Sequence, residues 1–359
     1  MKIAIDISQT IFGTGVSTYT SNLVRGLLKN DPDDKYILFG GSMRRFVELK
    51  TLTGNFTGNF ESKIFPYPPA LADLIWNRLH ILPVEKLIGQ VDVVHTSDWE
   101  EPLSSAFKVT TIHDLYPFKF PRMVHPKILA VHKRKFAWVI RESKRIIVPS
   151  ESTKEDLIKL GVAENIIRYI PEAPSLVKAD SKQVDSVKKK YNLSGDYVIS
   201  IGVTPLKNTN RITEAFHLSR AGKDLKLVLA GRPSDVGVTE ERNVRILGYV
   251  PQDDLAALLT GSRALIFASL YEGFGIPILD AFACGVPVVT SNTGSMPEIA
   301  GDAAVLVDPY DVDSIKEGIE DVLRGPKNFI EKGFERVKEF SWDKTAKMTL
   351  DVYKEGKKC

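Results

Sequence analysis

The sequence predicts an α/β protein with two parallel-sheet domains, and three observations support this fold class. Short runs of valine and isoleucine alternate with helical segments, as buried parallel strands alternate with crossover helices. The pattern starts twice, at Lys2–Ile7 and at Tyr197–Gly202, each time as a strand followed by a turn and a helix. The chain of 359 residues also exceeds one domain of roughly 100–200 residues.

The first domain is expected to span residues 1–170. Helices are predicted after the first glycine turn and near residues 70–89 and 126–143. Ser152 and Glu155 predict a capping box for a further helix that ends at Gly161. The predicted strands are Lys2–Ile7, Lys35–Phe39, Lys63–Tyr67, Val91–Thr96, Lys108–His113 and Arg145–Ser150.

The second domain is expected to span residues 171–341, after a proline-bracketed linker over residues 171–176. Its predicted strands are Tyr197–Gly202, Leu225–Gly231, Val244–Tyr249, Ala264–Leu270, Pro287–Thr290 and Ala304–Val307. Its predicted helices are residues 180–192, Asn208–Ala221 with Asn208 as the cap, Gln252–Leu259 and Asp311–Arg324. A last amphipathic helix is predicted in the C-terminal segment 342–359, from Trp342 to about Gly356.

The composition excludes several classes of protein. A net charge of +3 is too small to indicate nucleic-acid binding, and no DNA- or RNA-binding signature is present. Cys284 and Cys359 have no metal-binding spacing and are not expected to pair, so a reduced, cytosolic setting is expected. The N-terminal apolar run reads as a first strand and not as a signal peptide. No apolar run reaches the about 18 residues of a membrane span.

The stretch 267–291 contains the most informative turn, Tyr271-Glu272-Gly273-Phe274-Gly275. An apolar strand precedes the turn, and a helix follows with Pro277 suited to its first position. Glu272 and Asp280 therefore border the carboxyl end of a strand, where open α/β sheets bind ligands. The two glycines let the backbone approach a ligand with its N–H groups. The alternative is an ordinary turn with surface acids.

Lys207 lies between a predicted strand and the start of the helix at Asn208. A lysine beside the N–H groups of a helix start suits a diphosphate. When a phosphoryl group leaves and no metal is bound, a cation must neutralise the developing charge. The alternative is an exposed surface lysine.

In the first domain, His113 follows a predicted strand and is the leading candidate to hydrogen-bond a sugar hydroxyl or to stabilise charge. Asp114 would either orient His113 or cap the next segment, and the alternative is a histidine satisfied by a neighbouring carbonyl. His95 is the weaker candidate. The glycine loop at residues 13–16 either opens a nucleotide-type unit or makes a tight turn. Two such domains are expected to leave a ligand-binding cleft between them.

No metal site is expected, because the Asp-x-Asp pairs at 31/33 and 311/313 lie at turns or at a helix start, where aspartate caps the backbone. The segment 132–145 is basic with interleaved aromatic residues. The helix that contains it is expected to expose these cations, either to solvent or to anionic lipid headgroups at about 1 kcal/mol per cation. Its expected core residues are Leu129, Phe136, Val139 and Ile140.

Along nearly its whole length, the chain resembles the retaining glycosyltransferases of family 4, which share the GT-B fold. The final stretch, WDKTAKMTLDVYKEG, resembles the family's closing helix, which crosses back to the first domain. The other segments that carry the resemblance are GTGVSTY at 13–19, VDVVHTS at 91–97, TIHDLYPFKFP at 111–121, Lys207-Asn208, YEGFGIPILDAFACGVPVVTS at 271–291 and SMPEIAGDAAVLVDP at 295–309.

The resemblance implies transfer of a hexose from a nucleotide-diphospho-sugar to a glycan or lipid-linked acceptor, with retained anomeric configuration and without a cofactor or bound metal. Similarity to bacterial polysaccharide mannosyltransferases favours mannose carried on GDP. By position, Glu272 would meet the donor sugar, His113 would bind it near C6, and Lys207 would bind the diphosphate. The implied donor-binding residues are Gly15 at the phosphate, Asp280 at the ribose, Tyr249 and Val250 beside the base, and Gly273, Phe274, Gly275 and Ile276 in the turn.

Three positions depart from the family pattern. Asp280 replaces a glutamate and is one methylene shorter, Leu206 replaces an arginine, and Val203 stands where some members have a second arginine. Arg232 is the proposed substitute cation. Two alternatives share the fold: a nucleotide-sugar 2-epimerase and a non-catalytic nucleotide-sugar-binding protein. A dinucleotide oxidoreductase is disfavoured, because GTGVST at 13–18 stops at two glycines.

Overall fold

Two parallel sheets organise the chain in a computed structural model that describes residues 1–97 and 99–358. The first unit comprises Met1–Glu172 together with the residues from Ser341 onward, and the second comprises Ala173–Phe340. The boundaries expected from the sequence are 170/171 and 341/342. Cys359, one of the two cysteines considered above, lies outside the described residues.

The sheet of the first unit contains strands β1 (Lys2–Asp6), β2 (Lys35–Gly41), β3 (Phe60–Phe65), β4 (Val93–Ser97), β5 (Phe107–Thr111), β6 (Arg145–Val148) and β7 (Ile167–Tyr169). Their spatial order is β3-β2-β1-β4-β5-β6-β7, and every pairing is parallel. The helices are α1 (Gly15–Asn30), α2 (Phe46–Thr53), α3 (Pro69–Ala72), α4 (Glu85–Ile88), α5 (Tyr116–Lys119), α6 (Pro126–Glu142) and α7 (Glu151–Lys159).

The sheet of the second unit contains β8 (Tyr197–Ile201), β9 (Lys226–Ala230), β10 (Val244–Gly248), β11 (Leu265–Phe267), β12 (Val288–Ser291) and β13 (Ala304–Val307). The order is β10-β9-β8-β11-β12-β13, again with parallel pairings. The helices are α8 (Ser181–Lys190), α9 (Thr209–Leu218), α10 (Ala221–Asp224), α11 (Gln252–Thr260), α12 (Ile276–Ala283), α13 (Met296–Ala300), α14 (Val312–Arg324) and α15 (Pro326–Val337).

The C-terminal helix α16 (Trp342–Glu355) belongs to the first unit and packs on α1. Gly26 permits the close approach, because a Cβ at this position would lie 2.9 Å from the Cβ of Ala346. Lys29 on α1 also pairs with Asp343 at 2.9 Å. The expected return of the last helix to the first domain is therefore confirmed.

Both faces of the first sheet are covered. Ile3 and Ile5 pack with Leu23 of α1 and Tyr353 of α16, whereas Ala4, between them on the strand, packs with Trp76 on the other face. Because side chains alternate along a strand, a sheet covered on both faces needs apolar residues at successive positions. This explains why the strands appear in the sequence as continuous apolar runs, and the predicted fold class is confirmed.

The structure corrects two predicted helix caps. Ser150, not Ser152, caps α7, and its side chain accepts a hydrogen bond from the N–H of Thr153. Asn208 precedes α9 without capping it through its side chain. Its amide instead donates to the carbonyl oxygens of Ala268 at 3.0 Å and Pro309 at 2.6 Å. Tertiary partners thus compete with local capping for the same polar side chains.

The helix predicted near residues 70–89 is interrupted. It consists of α3, a π-helical turn over Asp73–Arg78, and the separate helix α4. His80 and Leu82 between them have positive φ angles of 51° and 62°, which end a right-handed helix. Pro83 follows and cannot donate a backbone hydrogen bond.

Helix α6 has a different buried face from the one predicted. Phe136 and Val139 are buried as expected, but Ile140 is 40% exposed. Lys135 is 3% exposed, so this cation does not face solvent. Arg134 bonds the carboxylate of Asp73 through two oxygens, at 2.9 and 2.8 Å. Helix α6 therefore packs its middle turns against the π-helical segment, which periodicity alone did not reveal.

Several other elements were not predicted, namely β7, α2, α5, α10, α13 and α15. Pro277 occupies the second position of α12, because that helix begins at Ile276. Among the described residues, no helix is long and apolar enough to cross a bilayer.

Candidate functional site

In the second unit, the loops that follow β8, β9, β10 and β11 lie at one edge of the sheet, because parallel strands end at the same edge. The loop after β11 is tied to the loop after β8 by a hydrogen bond of 2.9 Å from the Leu270 N–H to the Leu206 carbonyl. Most of the predicted donor-binding residues lie on these four loops or at the start of α12.

Lys207 and Glu272 are in contact. The ammonium Nζ of Lys207 donates to Glu272 Oε1 at 2.6 Å and lies 5.0 Å from the centre of the Phe267 ring. The two side chains are 26% and 14% exposed, so the pair is partly shielded and still reachable from solvent. Adjacent loops at this edge of the sheet therefore carry a cation and a carboxylate in contact, an arrangement that suits a polar, charged ligand.

Gly202 makes room for the stem of Lys207. Its φ is +88°, and an added Cβ would lie 2.7 Å from Lys207 Cγ. Gly231, at the end of β9, packs against Gly202 in turn, because a Cβ there would lie 3.1 Å from the Gly202 Cα. Glycine at 202 thus allows the lysine to lie along the backbone.

We expect Gly202→Ala to lower turnover by about 10-fold, because the new methyl group displaces Lys207 from Glu272. The left-handed backbone adds a stability cost of about 1–2 kcal/mol. Gly161→Ala is the matched control, since Gly161 has the same φ of +88° but nothing within 4 Å of an added Cβ. Steady-state kinetics and thermal unfolding of both variants separate the two effects. Equal turnover of the two variants would contradict the role of Gly202.

The turn at residues 271–275 is held by a buried serine whose role no sequence motif indicated. Ser295 is fully buried, and its hydroxyl donates towards the carbonyl oxygens of Glu272 at 3.0 Å and Phe274 at 2.8 Å. Phe274 is itself buried and packs edge-on against Phe340. Gly275 has a φ of +108°, which favours glycine, and α12 begins at the next residue. The backbone of the turn is therefore well defined, while the Glu272 side chain remains reachable.

Arg232 and Tyr249 come together at the ends of β9 and β10. The Arg232 guanidinium lies 5.4 Å above the Tyr249 ring, and Tyr249 is 54% exposed. Val250 follows on the same loop. Val203, by contrast, is fully buried in the core of the unit, and Leu206 is half-buried. Arg232 is thus an exposed cation at this edge of the sheet, and its role towards a diphosphate stays a prediction.

The carboxylate of Asp280 is hydrogen-bonded to backbone groups of the protein. It is buried on α12, where its Oδ1 accepts hydrogen bonds from the N–H groups of Ser175 at 2.6 Å and Leu176 at 2.9 Å. Burial raises its pKa to about 6, and the two backbone hydrogen bonds oppose that rise. One oxygen of Asp280 therefore holds the segment after Ala173, and the predicted ribose contact stays a prediction.

In the first unit, His113 follows β5 and pairs with Glu172. Its Nδ1 lies 3.1 Å from Glu172 Oε1, and the Tyr19 ring packs against the imidazole in a T-shaped arrangement, with a centroid distance of 4.5 Å. Asp114 does not serve as the partner of His113 in this pair. It accepts a hydrogen bond from the Tyr116 N–H at 2.8 Å and so caps the next segment. Glu172 was missed because it lies far along the chain, in the segment interpreted as a linker.

His95 is a structural residue. Its ring nitrogens lie 2.5 Å from the Tyr353 hydroxyl and 2.8 Å from the Thr111 hydroxyl. Burial lowers the pKa of His95 to about 3, so the ring is neutral near neutral pH. With both nitrogens engaged and 3% exposure, His95 links the sheet to the C-terminal helix.

The glycine loop leads directly into α1. Gly13 has a φ of +66°, Thr14 and Ser17 form the capping box, and Gly15 is the first residue of the helix. A Cβ at Gly15 would meet nothing within 4 Å, so the space beside this backbone is open. The loop therefore leaves room for a ligand, and the predicted phosphate contact of Gly15 is untested.

A cavity of about 70 Å³ lies beside His113. Its lining includes Val16, Thr111, His132 and the buried Lys135. Burial, followed by the nearby charge of Lys135, lowers the pKa of His132 to about 4. A cavity of this size can accommodate ordered water or a small polar group of a ligand. Among the described residues, no cluster of three or more His, Cys, Asp or Glu could hold a metal ion.

Comparisons with known proteins assign the chain to a family. The model described as "Glycosyltransferase Family 4" matches residues 13–173, and that described as "Glycosyl transferases group 1" matches residues 181–336. The O-antigen chain mannosyltransferase B of Escherichia coli is 33% identical over 273 residues, covering 68% of this chain and 70% of that protein. The serotype-specific mannosyltransferase WbdA of Escherichia coli is 26% identical over 302 residues, which cover 73% of this chain and 36% of WbdA.

The fold is also that of solved structures. Anabaena HepE in complex with UDP-glucose superposes with a TM-score of 0.74 at 15% identity, covering 99% of this chain and 100% of that one. The two parallel-sheet units and the superposition on this structure show that the chain has the GT-B fold. The family matches show that it is an enzyme of the glycosyltransferase class. The chain belongs to glycosyltransferase family 4, so the predicted family is confirmed.

Proposed function

We propose that this glycosyltransferase moves a hexose from a nucleotide-diphospho-sugar to a hydroxyl group of a glycan or glycolipid acceptor, with retention of the anomeric configuration. The main support for the proposal is the 2.6 Å contact between Lys207 Nζ and Glu272 Oε1, at the carboxyl edge of the second sheet. It supplies a cation for a diphosphate and a carboxylate for sugar hydroxyls on adjacent loops. Arg232 and Tyr249 add a cation and an exposed aromatic ring at the same edge.

In the proposed reaction, the bond between the anomeric carbon and the β-phosphate oxygen breaks, and a bond from that carbon to the acceptor oxygen forms on the same face. The proton of the acceptor hydroxyl passes to the departing phosphate. Lys207 stabilises the negative charge that develops on that phosphate, so no metal is needed. Glu272 holds the sugar, and His113 contributes a hydrogen bond near C6.

The donor is proposed to be GDP-mannose. The support comes from the relatives named as mannosyltransferases, which include the O-antigen chain enzyme of Escherichia coli at 33% identity. The name of that relative also supports a growing polysaccharide as the acceptor.

A thermal-shift panel of nucleotide diphosphates and their sugars tests donor binding. A ligand present at about 100 times its dissociation constant should stabilise the protein by about 2.7 kcal/mol. GDP and GDP-mannose are expected to raise the unfolding temperature more than the uridine compounds, and Lys207→Ala should reduce the shift. The absence of a shift with every nucleotide would overturn the proposal.

An activity assay then separates transfer from the two alternatives. Product that forms only when acceptor is present, with the donor's anomeric configuration, supports the proposal. Exchange of the sugar C2 proton with solvent in the absence of acceptor would indicate a 2-epimerase. Donor binding without either reaction would indicate a non-catalytic protein.

We also propose that the first unit contacts an anionic membrane surface. The segment around the π-helical turn packs on α6 through Arg134 and Asp73. Together the two segments expose apolar side chains at Leu71, Leu74, Leu79, Ile81, Leu82 and Ile128. Lys127 and Lys133 of α6 are exposed beside them in the chain. Apolar side chains with flanking cations suit an interface of acyl chains and acidic headgroups.

Lys127→Ala/Lys133→Ala is expected to weaken binding to phosphatidylglycerol-containing vesicles by about 30-fold, since each cation contributes about 1 kcal/mol. Vesicle co-sedimentation measures the change. Lys182→Ala/Lys189→Ala on α8 removes two exposed cations from the second unit and is the matched control. Equal binding to vesicles of phosphatidylcholine alone, or equal loss in both double variants, would contradict a specific surface on α6.

A further inference from the structure

Glu172 is a buried acid whose described side-chain bond is to His113. It follows β7 in the short segment Ile170–Ala173, and its side chain is 5% exposed. Burying a carboxylate is costly unless a hydrogen-bond donor faces it. The Nδ1 atom of His113, at 3.1 Å from Oε1, is that donor.

The backbone on the N-terminal side of Glu172 is held at two points. The Ile170 N–H donates to the Val148 carbonyl of β6 at 2.9 Å. The Thr345 hydroxyl of α16 donates to the Pro171 carbonyl at 2.7 Å. The carboxylate therefore has a defined position relative to β5, and the C-terminal helix helps to set it.

The pairing determines which nitrogen of the His113 ring carries the proton. An ionised carboxylate can only accept hydrogen bonds, so the nitrogen that faces Glu172 must carry a hydrogen. In a neutral imidazole the other nitrogen then has a free lone pair. The Nε2 atom of His113 is buried and has no hydrogen-bond partner among the described residues. Tyr19 limits the movement of the His113 ring, because it packs against the imidazole in a T-shaped arrangement and its hydroxyl is hydrogen-bonded to that of Thr111 at 3.1 Å.

We propose that Glu172 is a positioning residue that holds His113 in the Nδ1–H tautomer, so that Nε2 accepts a hydrogen bond from a substrate hydroxyl. The tautomer assignment stands on the geometry of the first unit, and the substrate contact rests on the proposed function. In this arrangement, the sugar hydroxyl near C6 donates a hydrogen bond to His113 Nε2 and does not accept one from it. A carboxylate that accepts a hydrogen bond from one imidazole nitrogen fixes the tautomer and the orientation of the ring.

Nuclear magnetic resonance of the full-length protein with ¹⁵N-labelled histidine tests the tautomer without any substrate. At about pH 8.5, an ordinary imidazole is neutral, and two-bond nitrogen–proton correlations show which nitrogen carries the proton. His113→Asn identifies the His113 signals by their loss. The wild-type protein should show the Nδ1–H form, and Glu172→Leu should convert it to the Nε2–H form. His95, whose nitrogens bond Tyr353 and Thr111, is the internal control and should not change.

A kinetic comparison tests the substrate contact. Glu172→Leu is expected to lower kcat by about 10- to 100-fold with a smaller change in the donor KM, by analogy with the loss when a group that orients a metal-bound histidine is removed. Glu172→Asp should recover part of the loss. Wild-type enzyme should discriminate equally against the 6-deoxy and 6-fluoro donors, because neither donates a hydrogen bond at C6. In Glu172→Leu that discrimination should fall.

The outcomes separate the two proposals. An Nε2–H signal in the wild-type protein, or an Nδ1–H signal that persists in Glu172→Leu, would overturn the tautomer assignment. The expected tautomers without transferase activity would leave Glu172 as a positioning residue and count against the proposed reaction. Acceptance of the 6-fluoro donor as readily as the natural sugar would overturn the acceptor role of Nε2. Thermal unfolding of Glu172→Leu, together with its unchanged His95 signals, verifies that the variant is folded.

Discussion

Lys207→Ala is expected to reduce turnover by about 10²–10³-fold, the cost of removing one preorganised group that stabilises transition-state charge. The lysine is positioned by Gly202 below its stem and by Glu272 at 2.6 Å from its ammonium group. In the proposed reaction, its removal would leave the departing phosphate without this cation, and Arg232 on the neighbouring loop is too exposed to replace a preorganised group. Steady-state kinetics with donor and acceptor provide the measurement.

Lys190→Ala is the matched control for Lys207→Ala. Lys190 also forms a 2.6 Å ion pair, with Asp254, but on the surface of α8. Its loss should leave turnover unchanged, because exposed ion pairs contribute little. Lys207→Arg keeps the charge with a different shape and should retain part of the activity. Near-normal turnover in Lys207→Ala would exclude the phosphate role.

Asp280→Asn is expected to change the pH dependence of stability. The pKa of Asp280 is raised from 3.8 to about 6 in the folded protein, so the folded state holds a proton that the unfolded state releases. Stability from this group is therefore present below about pH 4 and is lost as the pH rises through about 6. By pH 7 the loss approaches about 3 kcal/mol, at 1.36 kcal/mol per pKa unit. Asparagine does not titrate, so the stability of Asp280→Asn relative to wild type should rise by about 2 kcal/mol between pH 4 and pH 7, because a small part of the loss has already occurred at pH 4.

Urea unfolding at several pH values measures this difference. Asp254→Asn is the control, because the pKa of Asp254 is shifted in the opposite direction from that of Asp280. Burial tends to raise the pKa of Asp254, but hydrogen bonds from Lys190 and Tyr191 bring it below 3.8. Its contribution is present above the unfolded pKa and is lost as the pH falls below about 4, so Asp254→Asn should show no change relative to wild type between pH 4 and pH 7. If the stability difference between Asp280→Asn and wild type did not change over this pH range, the conclusion that the buried Asp280 carboxyl group holds a proton would be contradicted.

Much of the fold could be predicted because its signals are local. Buried parallel strands require successive apolar, β-branched residues, and such runs mark most of the strands in the described residues directly. The short strand β7, Ile167–Tyr169, lacks such a run. The turn at residues 271–275 was found for the same kind of reason, since glycine at 275 and proline at 277 constrain the backbone where they stand.

The helix caps show where local signals fail. Ser150, Ser152 and Asn208 all have side chains suited to capping, and the spacing of nearby residues does not choose among their alternative partners. The side-chain amide of Asn208 donates instead to the carbonyl groups of Ala268 and Pro309, which are 60 and 101 residues away in the chain. Helix α6 shows the same limit, because the exposure of Ile140 depends on what packs against its neighbours.

The two sheet arrays and most of their strands and helices could be read from residue types and their spacing, and the resemblance indicated the family. The sequence also singled out Lys207, Glu272 and His113 as candidate site residues. The partners of these residues could not. Glu272 pairs with Lys207 across 65 residues, Glu172 with His113 across 59, and Asp280 with Ser175 across 105. A hydrogen bond forms only when donor and acceptor lie within a few tenths of an ångström of the right separation. Periodicity specifies the face on which a residue lies, whereas packing of the whole unit brings two distant atoms to that separation.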